Sequence, residues 1–375
     1  MLCQDVGPPD AKIILVGEAP GKNEDRTGIP FSGAAGTLLK QMLTHSGIRF
    51  ADCYVTNVMN VQPPNNKFEY FYDGKLPGAS LEASIIKLRD KLEAIRPQVI
   101  ITLGAEALRA VCNKRKITAY RGTWLSFRDI PVLPTFHPAY VLRQYQSHVV
   151  VEMDFTKAVS SYIKEPPEMI LGPSLQQVVH WVDIAIRDFG IKKYGRIAYD
   201  IETVGKHIRC IAFTNGCQRP ICIPFIRFKS SDLAKVGTTR VMLQSQSQAA
   251  GSYWSSRDEV HVLNAIQRLF DSGIEIVGQN SIGFDAPLLQ DEFGLHIREH
   301  IMDTMHAWHC LYSELPMGLS FLCSVLTDYA NYWTDKVTTD DISEWKYNVM
   351  DAVVTLEVSY KIEKELKESN FEHAY

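Results

Sequence analysis

Carboxylates at fixed spacing are the first candidates for chemistry in this sequence. Tyr199–Thr203 reads YDIET, so Asp200 and Glu202 point to the same face of a strand that carries them. Ile274–Asp285 reads IEIVGQNSIGFD, a strand, a turn and a helix start, and contributes Asn280 and Asp285. Tyr347 and Asp351 stand four residues apart, on one face of a helix. Asp200, Glu202, Asp285 and Asp351 gathered in one place would repel and take up protons unless cations neutralise them. Two divalent ions about 3.5–4 Å apart do that, and hard oxygen ligands favour Mg2+ or Mn2+ over zinc. Tyr347 would then orient the nucleophilic water. Asn280 is expected to hold the turn or position substrate rather than bind metal, and His306 and His309 are expected on a half-exposed helix face.

A second constellation lies in the first half. Gly17–Phe31 reads GEAPGKNEDRTGIPF, a strand end followed by a loop whose glycines let backbone amides approach a ligand closely. Thr56-Asn57-Val58 follows, with Gln62–Asn66 behind it, then Leu103–Leu108 (LGAEAL) and His137-Pro138-Ala139-Tyr140. Each of these polar clusters follows an apolar run, and ligands of parallel sheets gather beyond the carboxyl ends of the strands.

The elements that position these residues are legible from periodicity. Ala11–Gly17, Tyr54–Val58, Val99–Leu103 and Pro131–Phe136 read as buried strands, with helices over Gly36–Thr44, Leu81–Ile95 and Ala105–Cys112 between them. That alternation predicts a parallel sheet covered on both faces. The Pro-rich Glu165–Pro173 follows a helical stretch, Val151–Lys164, and reads as a joint. Behind it come a helix at Leu175–Asp188 and strands at Arg196–Glu202, Arg209–Thr214 and Ile221–Phe225. The Ser-, Gln- and Gly-rich Lys229–Ser256 reads as a long loop, before helices at Asp258–Phe270, Ala286–Phe293, Met302–Tyr312 and Ile342–Lys367. The expected organisation is therefore a first domain over 1–165, a linker over 166–173 and a second domain over 174–375, in an α/β chain whose second sheet is mixed.

Composition narrows the class. The 375 residues are 46% hydrophobic and 22% charged, which excludes disordered and collagen-like chains. No run approaches the length of a membrane span, and MLCQDVGPPD has neither a basic start nor an apolar core of a signal peptide. The expectation is a cytoplasmic protein with no membrane partner, and composition does not select among a bacterial, archaeal or viral source. Eight cysteines without a CxxC pair read as reduced core thiols. The net charge of −4 divides unevenly: residues 1–165 hold 20 Lys and Arg against 16 Asp and Glu, and residues 166–375 hold 19 against 27.

The four ordered blocks of the first half resemble the uracil-DNA glycosylase superfamily, family 4 above all, over residues 8–164. The resemblance implies a three-layer parallel-sheet domain that hydrolyses the N-glycosidic bond of deoxyuridine after flipping it out of the duplex. It places Phe31 as the ring stacked on the flipped uracil and Asn57 as the carboxamide that pairs with its polar edge. Gly17 and Ala19 are implied as the uracil-binding loop, His137 as the donor to the developing uracil anion, and Glu18 and Glu24 as the acidic pair that orients water. Family 4 also implies an iron–sulfur cluster on four cysteines, but Val61 and about Ser84 stand at the third and fourth ligand positions. Cys3 alone cannot bind a cluster, so none is expected.

The blocks DxE, Nx3FD and Yx3D resemble the tyrosine subtype of DEDD 3′→5′ proofreading exonucleases over about residues 174–368, especially those that precede family A polymerases. This implies a ribonuclease-H-like fold and a two-metal site. Together the resemblances imply the N-terminal part of a phage-like DNA polymerase, or a stand-alone derivative, acting on uracil-containing DNA and on single-stranded 3′ ends. The loops around Lys114–Lys116 and Tyr140–Arg143 would hold that DNA, with a polymerase domain or subunit as partner. The alternative left open is a first domain that reads uracil or DNA as a tether or sensor without cutting.

Overall fold

In the N-terminal half, β1 (Ile13–Gly17) turns Ile14 and Val16 to one side and Leu15 to the other, and all three are fully buried. Such a strand needs a layer on each face. The structure, a computed structural model, describes residues 2–160, 163–191, 195–227, 251–334, 340–371, 373 and 375. After β1 come α1 (Lys22–Thr27), α2 (Ala34–His45) and β2 (Cys53–Asn57). A small hairpin of β3 (Tyr72–Asp73) and β4 (Leu76–Pro77) leads into α3 (Ala79–Ile95) and β5 (Val99–Leu103). Next are α4 (Ala105–Cys112), α5 (Ile117–Tyr120), β6 (Leu125–Phe127), β7 (Ile130–Thr135), α6 (Pro138–Val141) and α7 (Ser147–Ser160).

The sheet order is β2-β1-β5-β7-β6, parallel throughout except for the β6–β7 pair. Leu15, Ile101 and Leu133 pack against Leu39, Met42 and Leu43 of α2 and Val151 and Phe155 of α7. Ile14, Val16, Ile100 and Val132 face Leu81, Leu88 and Leu92 of α3 and Val111 of α4. The result is a helix–sheet–helix sandwich, the layering that the apolar runs predict.

The second half contains β8 (Ile170–Leu171), α8 (Leu175–Gly190), β9 (Arg196–Val204), β10 (His207–Thr214) and β11 (Ile221–Pro224). Then follow α9 (Ser256–Phe270), β12 (Glu275–Gly278), α10 (Asp285–Phe293), β13 (His300–Asp303), α11 (Thr304–Leu311), α12 (Leu319–Leu326) and α13 (Asp341–Glu368). Its sheet runs β13-β12-β9-β10-β11-β8 and is mixed: β9 to β11 are antiparallel, whereas β12 pairs in parallel with both β9 and β13. Ile197, Tyr199 and Ile201 of β9 share a core with Ile211 and Phe213 of β10, Val178 and Val182 of α8, and Ile266 and Phe270 of α9. On the other face α13 packs along β9 and β10. Its start is fixed by a reciprocal cap: Asp340 Oδ1 accepts from Ser343 N–H (2.8 Å), and the Asp340 N–H donates to Ser343 Oγ (3.3 Å).

The chain divides into two compact units, Met1–Glu165 with Asp328–Thr334, and Pro166–Thr327 with Asp335–Tyr375. Three features differ from the sequence reading. The stretch 166–173 is no free linker, because Ile170–Leu171 pairs in parallel with Ile221–Cys222 and extends the second sheet. Residues 328–334 belong to the first unit, where Ala330 bridges Trp124 and Tyr329 bridges Lys164. The helix expected from Met302 starts at Thr304, because His300–Asp303 is drawn into the sheet beside β12. Most of the Lys229–Ser256 loop lies outside the described residues. Among the described residues, no helix is long and apolar enough to cross a membrane.

Candidate active sites

Register sets the first site. Gly17 ends β1 directly opposite Asn57 at the end of β2. Both residues are buried, and a side chain at Gly17 has no room: its Cβ would lie 2.3 Å from Asn57 Oδ1 and 2.8 Å from Phe31 Cζ. Two strands further on, Gly104 follows β5 with φ +92°, and a Cβ there would meet His137 Cβ at 3.0 Å. The rings of Phe31 and His137 lie 6.1 Å apart between centroids, inclined by 32°. Phe31, Asn57 and His137 therefore converge over two glycines at the carboxyl ends of parallel strands. Phe31 itself is held at φ +51°, a strained backbone for a bulky residue. Gly36 makes this possible, since a Cβ at that position would overlap the Phe31 carbonyl.

His137 has a defined protonation. It caps α6, and its Nδ1 accepts the Ala139 N–H at 3.1 Å. A nitrogen that accepts carries no proton, so the imidazole hydrogen sits on Nε2. Desolvation of the ring, helped by Arg143, pushes its pKa down to about 4. At neutral pH His137 is an uncharged Nε2–H donor.

The two acids of this loop have different surroundings. Glu18, half-buried beside Gly17, is pushed up to about 7 by burial first and then by Glu106 and Glu69, with Arg143 opposing. Glu106 accepts a hydrogen bond from Tyr72, whose ring lies under the Arg109 guanidinium at 4.4 Å. Glu24, on α1, accepts the Gly33 N–H through Oε1 at 2.9 Å. That bond closes the loop bearing Phe31 onto α1. The Gly17 and Glu18 carbonyls accept from Val58 and Met59 (3.0 and 3.1 Å), which ties Glu18 and Ala19 to the chain behind Asn57.

In the second unit Asp200, Glu202 and Asp351 each bring a carboxylate oxygen to within 4.8 Å of the others. Asp285, buried at the start of α10, turns Oδ1 onto the Ile201 N–H (3.2 Å), between Asp200 and Glu202. Asp200 is held well above the usual carboxylate range by burial, then by Asp351, Asp285 and Glu202. Burial likewise pushes Asp285 up to about 7, against the opposing pull of the Ile201 N–H. Tyr347 is raised by burial and by Asp351, Glu202 and Asp200, so its phenol stays protonated beside the acids. An all-oxygen donor set with this much mutual repulsion fits hard divalent cations.

Two further groups support these acids: Asp303, which stands where the exonucleases that the sequence resembles often have an acidic residue but is not expected as a ligand, and Asn348, which the sequence reading does not single out. Asn348, fully buried, donates from Nδ2 to Asp200 Oδ2 at 2.8 Å. Asp303, also fully buried, accepts from the N–H groups of Asn280 (2.9 Å), Ile282 (3.1 Å) and Met305 (3.0 Å). It thereby fixes the turn that leads to Asp285 and holds Asn280 at φ +56°. Asn348 lies inside the Yx3D motif, and its polarity on a buried helix face is the one hint available. His306 and His309 are exposed on α11, and neither belongs to a metal-competent group among the described residues.

An iron–sulfur cluster does not fit the residues present. Ahead of β1, where the family resemblance implies two cysteines, Cys3 stands alone, and burial with nearby Glu24 pushes its thiol up to about 11. Val61 is exposed and apolar, and Ser84 is half-buried.

Comparison with known proteins finds likenesses for both halves of the chain. The family model described as "Uracil DNA glycosylase superfamily" matches residues 4–160, and the model described as "3'-5' exonuclease" matches residues 228–367. A type-4 uracil-DNA glycosylase of Thermotoga maritima is 42% identical over 163 residues, spanning 42% of this chain and 80% of that protein. The corresponding protein of Archaeoglobus fulgidus is 36% identical over 44% of this chain and 83% of its own length. A DNA polymerase of Bacillus phage SP01 is 27% identical over 208 residues, 53% of this chain but 21% of the polymerase.

The Glu18 environment has a measurable consequence. Its folded pKa of about 7 lies above the ordinary 4.5, so the folded state binds the proton more tightly than the unfolded state does. This contribution to stability is complete below about pH 4.5 and is lost as pH rises through about 7. Glu18→Gln keeps the shape without the charge. Melting curves should show it about 2–5 °C more stable than the parent at pH 8 and indistinguishable near pH 4.

Proposed function

Because the chain belongs to the uracil DNA glycosylase superfamily and carries a 3′-5′ exonuclease domain, we propose that its first unit excises uracil from DNA and its second trims 3′ ends. The observation that carries this reading is the convergence of Phe31, Asn57 and a neutral, Nε2-protonated His137 around Gly17 and Gly104. Extruding a nucleotide costs a few kcal/mol of stacking and pairing, which a fitted pocket must offset. Phe31 supplies a ring face for the base. Asn57 offers one amide donor and one carbonyl acceptor, matching O4 and N3–H of uracil and mismatching the reversed pattern of cytosine. Hydrogen-bonded selection of this kind reaches roughly 10⁴–10⁵-fold against ligands lacking the pattern.

When the glycosidic bond breaks, its electron pair passes to the uracil ring. The His137 Nε2–H donates to the resulting O2 anion, and a neutral donor does so without surrendering its proton. Water adds to the sugar carbon, and Glu18, near its midpoint at neutral pH, is suited to receive the proton. Glu24 holds the Phe31 loop through Gly33, which supports a positioning role for it and Glu18 as the base.

In the second unit Asp200, Glu202, Asp285 and Asp351 would hold Mg2+ or Mn2+. Bound cations would supply Lewis acidity for hydrolysis of the terminal phosphodiester. Tyr347, kept protonated, would orient the attacking water by its hydroxyl. Asn348 and the Asp303-pinned turn keep Asp200 and Asp285 in place. The partial match to a phage DNA polymerase supports a replicative setting, with a polymerase domain or subunit as partner.

A uracil-containing oligonucleotide should yield alkali-labile abasic sites with the parent protein. His137→Ala should lower the rate about 10²–10³-fold, and Glu18→Gln should remove the fall in rate below pH 7. Parent activity no higher than these variants would leave the first unit as a uracil or DNA reader only. In Mg2+, Asp200→Ala should abolish loss of nucleotides from a labelled single-stranded 3′ end. Degradation by that variant at the parent rate would refute the exonuclease site.

A further inference from the structure

The segment ahead of β1 is bound to the uracil-site loops at several points. Val6 and Val55 exchange both backbone hydrogen bonds (3.1 and 2.7 Å), so the segment adds a short antiparallel rung to the edge strand β2. Cys3 N–H donates to Asn60 O (2.9 Å), three residues beyond Asn57, and Gln4 N–H donates to Gly28 O (3.1 Å), at the start of the Phe31 loop. At the centre is Asp5. Its carboxylate accepts from Tyr54 Oη (2.9 Å) and Thr56 Oγ1 (2.7 Å) and pairs with Lys91 of α3. Lys91 also donates to Thr56 Oγ1 at 3.2 Å. With side chains only 17% and 28% exposed, Asp5 and Lys91 are sheltered from the screening that weakens surface pairs. One carboxylate thus joins the N-terminal segment, β2 next to Asn57, and α3.

We propose that Asp5 is a positioning residue for the uracil pocket, and that its contacts with Tyr54, Thr56 and Lys91 tie these three elements together without iron. The proposal rests on the glycosylase reading for its catalytic part and on the misfit of a cluster to Cys3, Val61 and Ser84 for its structural part. Thr56 precedes Asn57 in β2, and Gly28 opens the loop that ends at Phe31. Loosening the segment therefore frees both groups that would grip the flipped base. Because that grip is formed on binding, the loss should appear in KM for uracil-DNA more than in kcat.

The test uses the full chain with Asp5→Asn, Lys91→Met, the double variant and Lys91→Arg. Asp5→Asn and Lys91→Met should each lower kcat/KM on the uracil oligonucleotide by about tenfold, mainly through KM. Their double should be no worse than the poorer single, and Lys91→Arg should retain most of the activity. Hydrogen exchange should quicken at 54–60 and 28–33 in Asp5→Asn and stay unchanged in β5 and β7. The purified parent should contain no stoichiometric iron and show no visible absorbance. Iron at one cluster per chain, or unchanged exchange at 54–60 in Asp5→Asn, would overturn the proposal. Faster exchange with unaltered KM would overturn the positioning role. A parent that excises no uracil would defeat the glycosylase reading instead, and the iron and exchange measurements would still decide whether the clamp exists.

Discussion

Apolar burial on both faces of the central strands is the constraint from which the geometry of the first unit follows. Ile14 and Val16 belong to one core layer and Leu15 to the other, so a slip of one residue would invert every side chain of β1. With the register locked by burial, Gly17 must end opposite Asn57. The polar residues that follow each strand then meet at one edge of the sheet. The pocket is a consequence of the core.

Electrostatics distinguishes the two sites. In the first, desolvation removes charge: His137 is held neutral, Glu18 is brought near its midpoint, and a backbone N–H fixes which imidazole nitrogen carries the proton. In the second, desolvation acts on carboxylates that stay close together, with the Asn348 amide offsetting Asp200. A neutral imidazole donor suits a developing anion. A cage of mutually repelling acids suits cations.

Hydrogen bonds from backbone to buried or half-buried carboxylates recur as the device that holds the loops around both candidate sites. Glu24 takes the Gly33 N–H, Asp285 takes that of Ile201, and Asp303 takes three. Such bonds satisfy backbone donors that a turn leaves without a ladder partner, which suits turns where Phe31 and Asn280 stand at positive φ. Acidic residues that spacing cannot tell apart thus stand in different surroundings: Glu24 accepts the Gly33 N–H, whereas burial and Glu106 raise Glu18.

Local order made the strands, most helices and the motif residues readable, because apolar periodicity and the DxE, Nx3FD and Yx3D spacings are properties of short windows. β13 escaped that reading, since four residues run into a helix without a turn signal, and so did the return of 328–334 to the first unit, which no nearby residue announces. The amino-acid order determined which residues could do chemistry and which strand ends would present them. Tertiary structure alone decided that His137 Nδ1 accepts the Ala139 N–H, that Glu24 takes the Gly33 N–H while Glu18 lies near Glu106, and which partners Asp5, Asp303 and Asn348 bond. Most of these depend on partners distant in the chain, as Asn348 does on Asp200, 148 residues away, and burial and hydrogen bonding exist only once such partners have met.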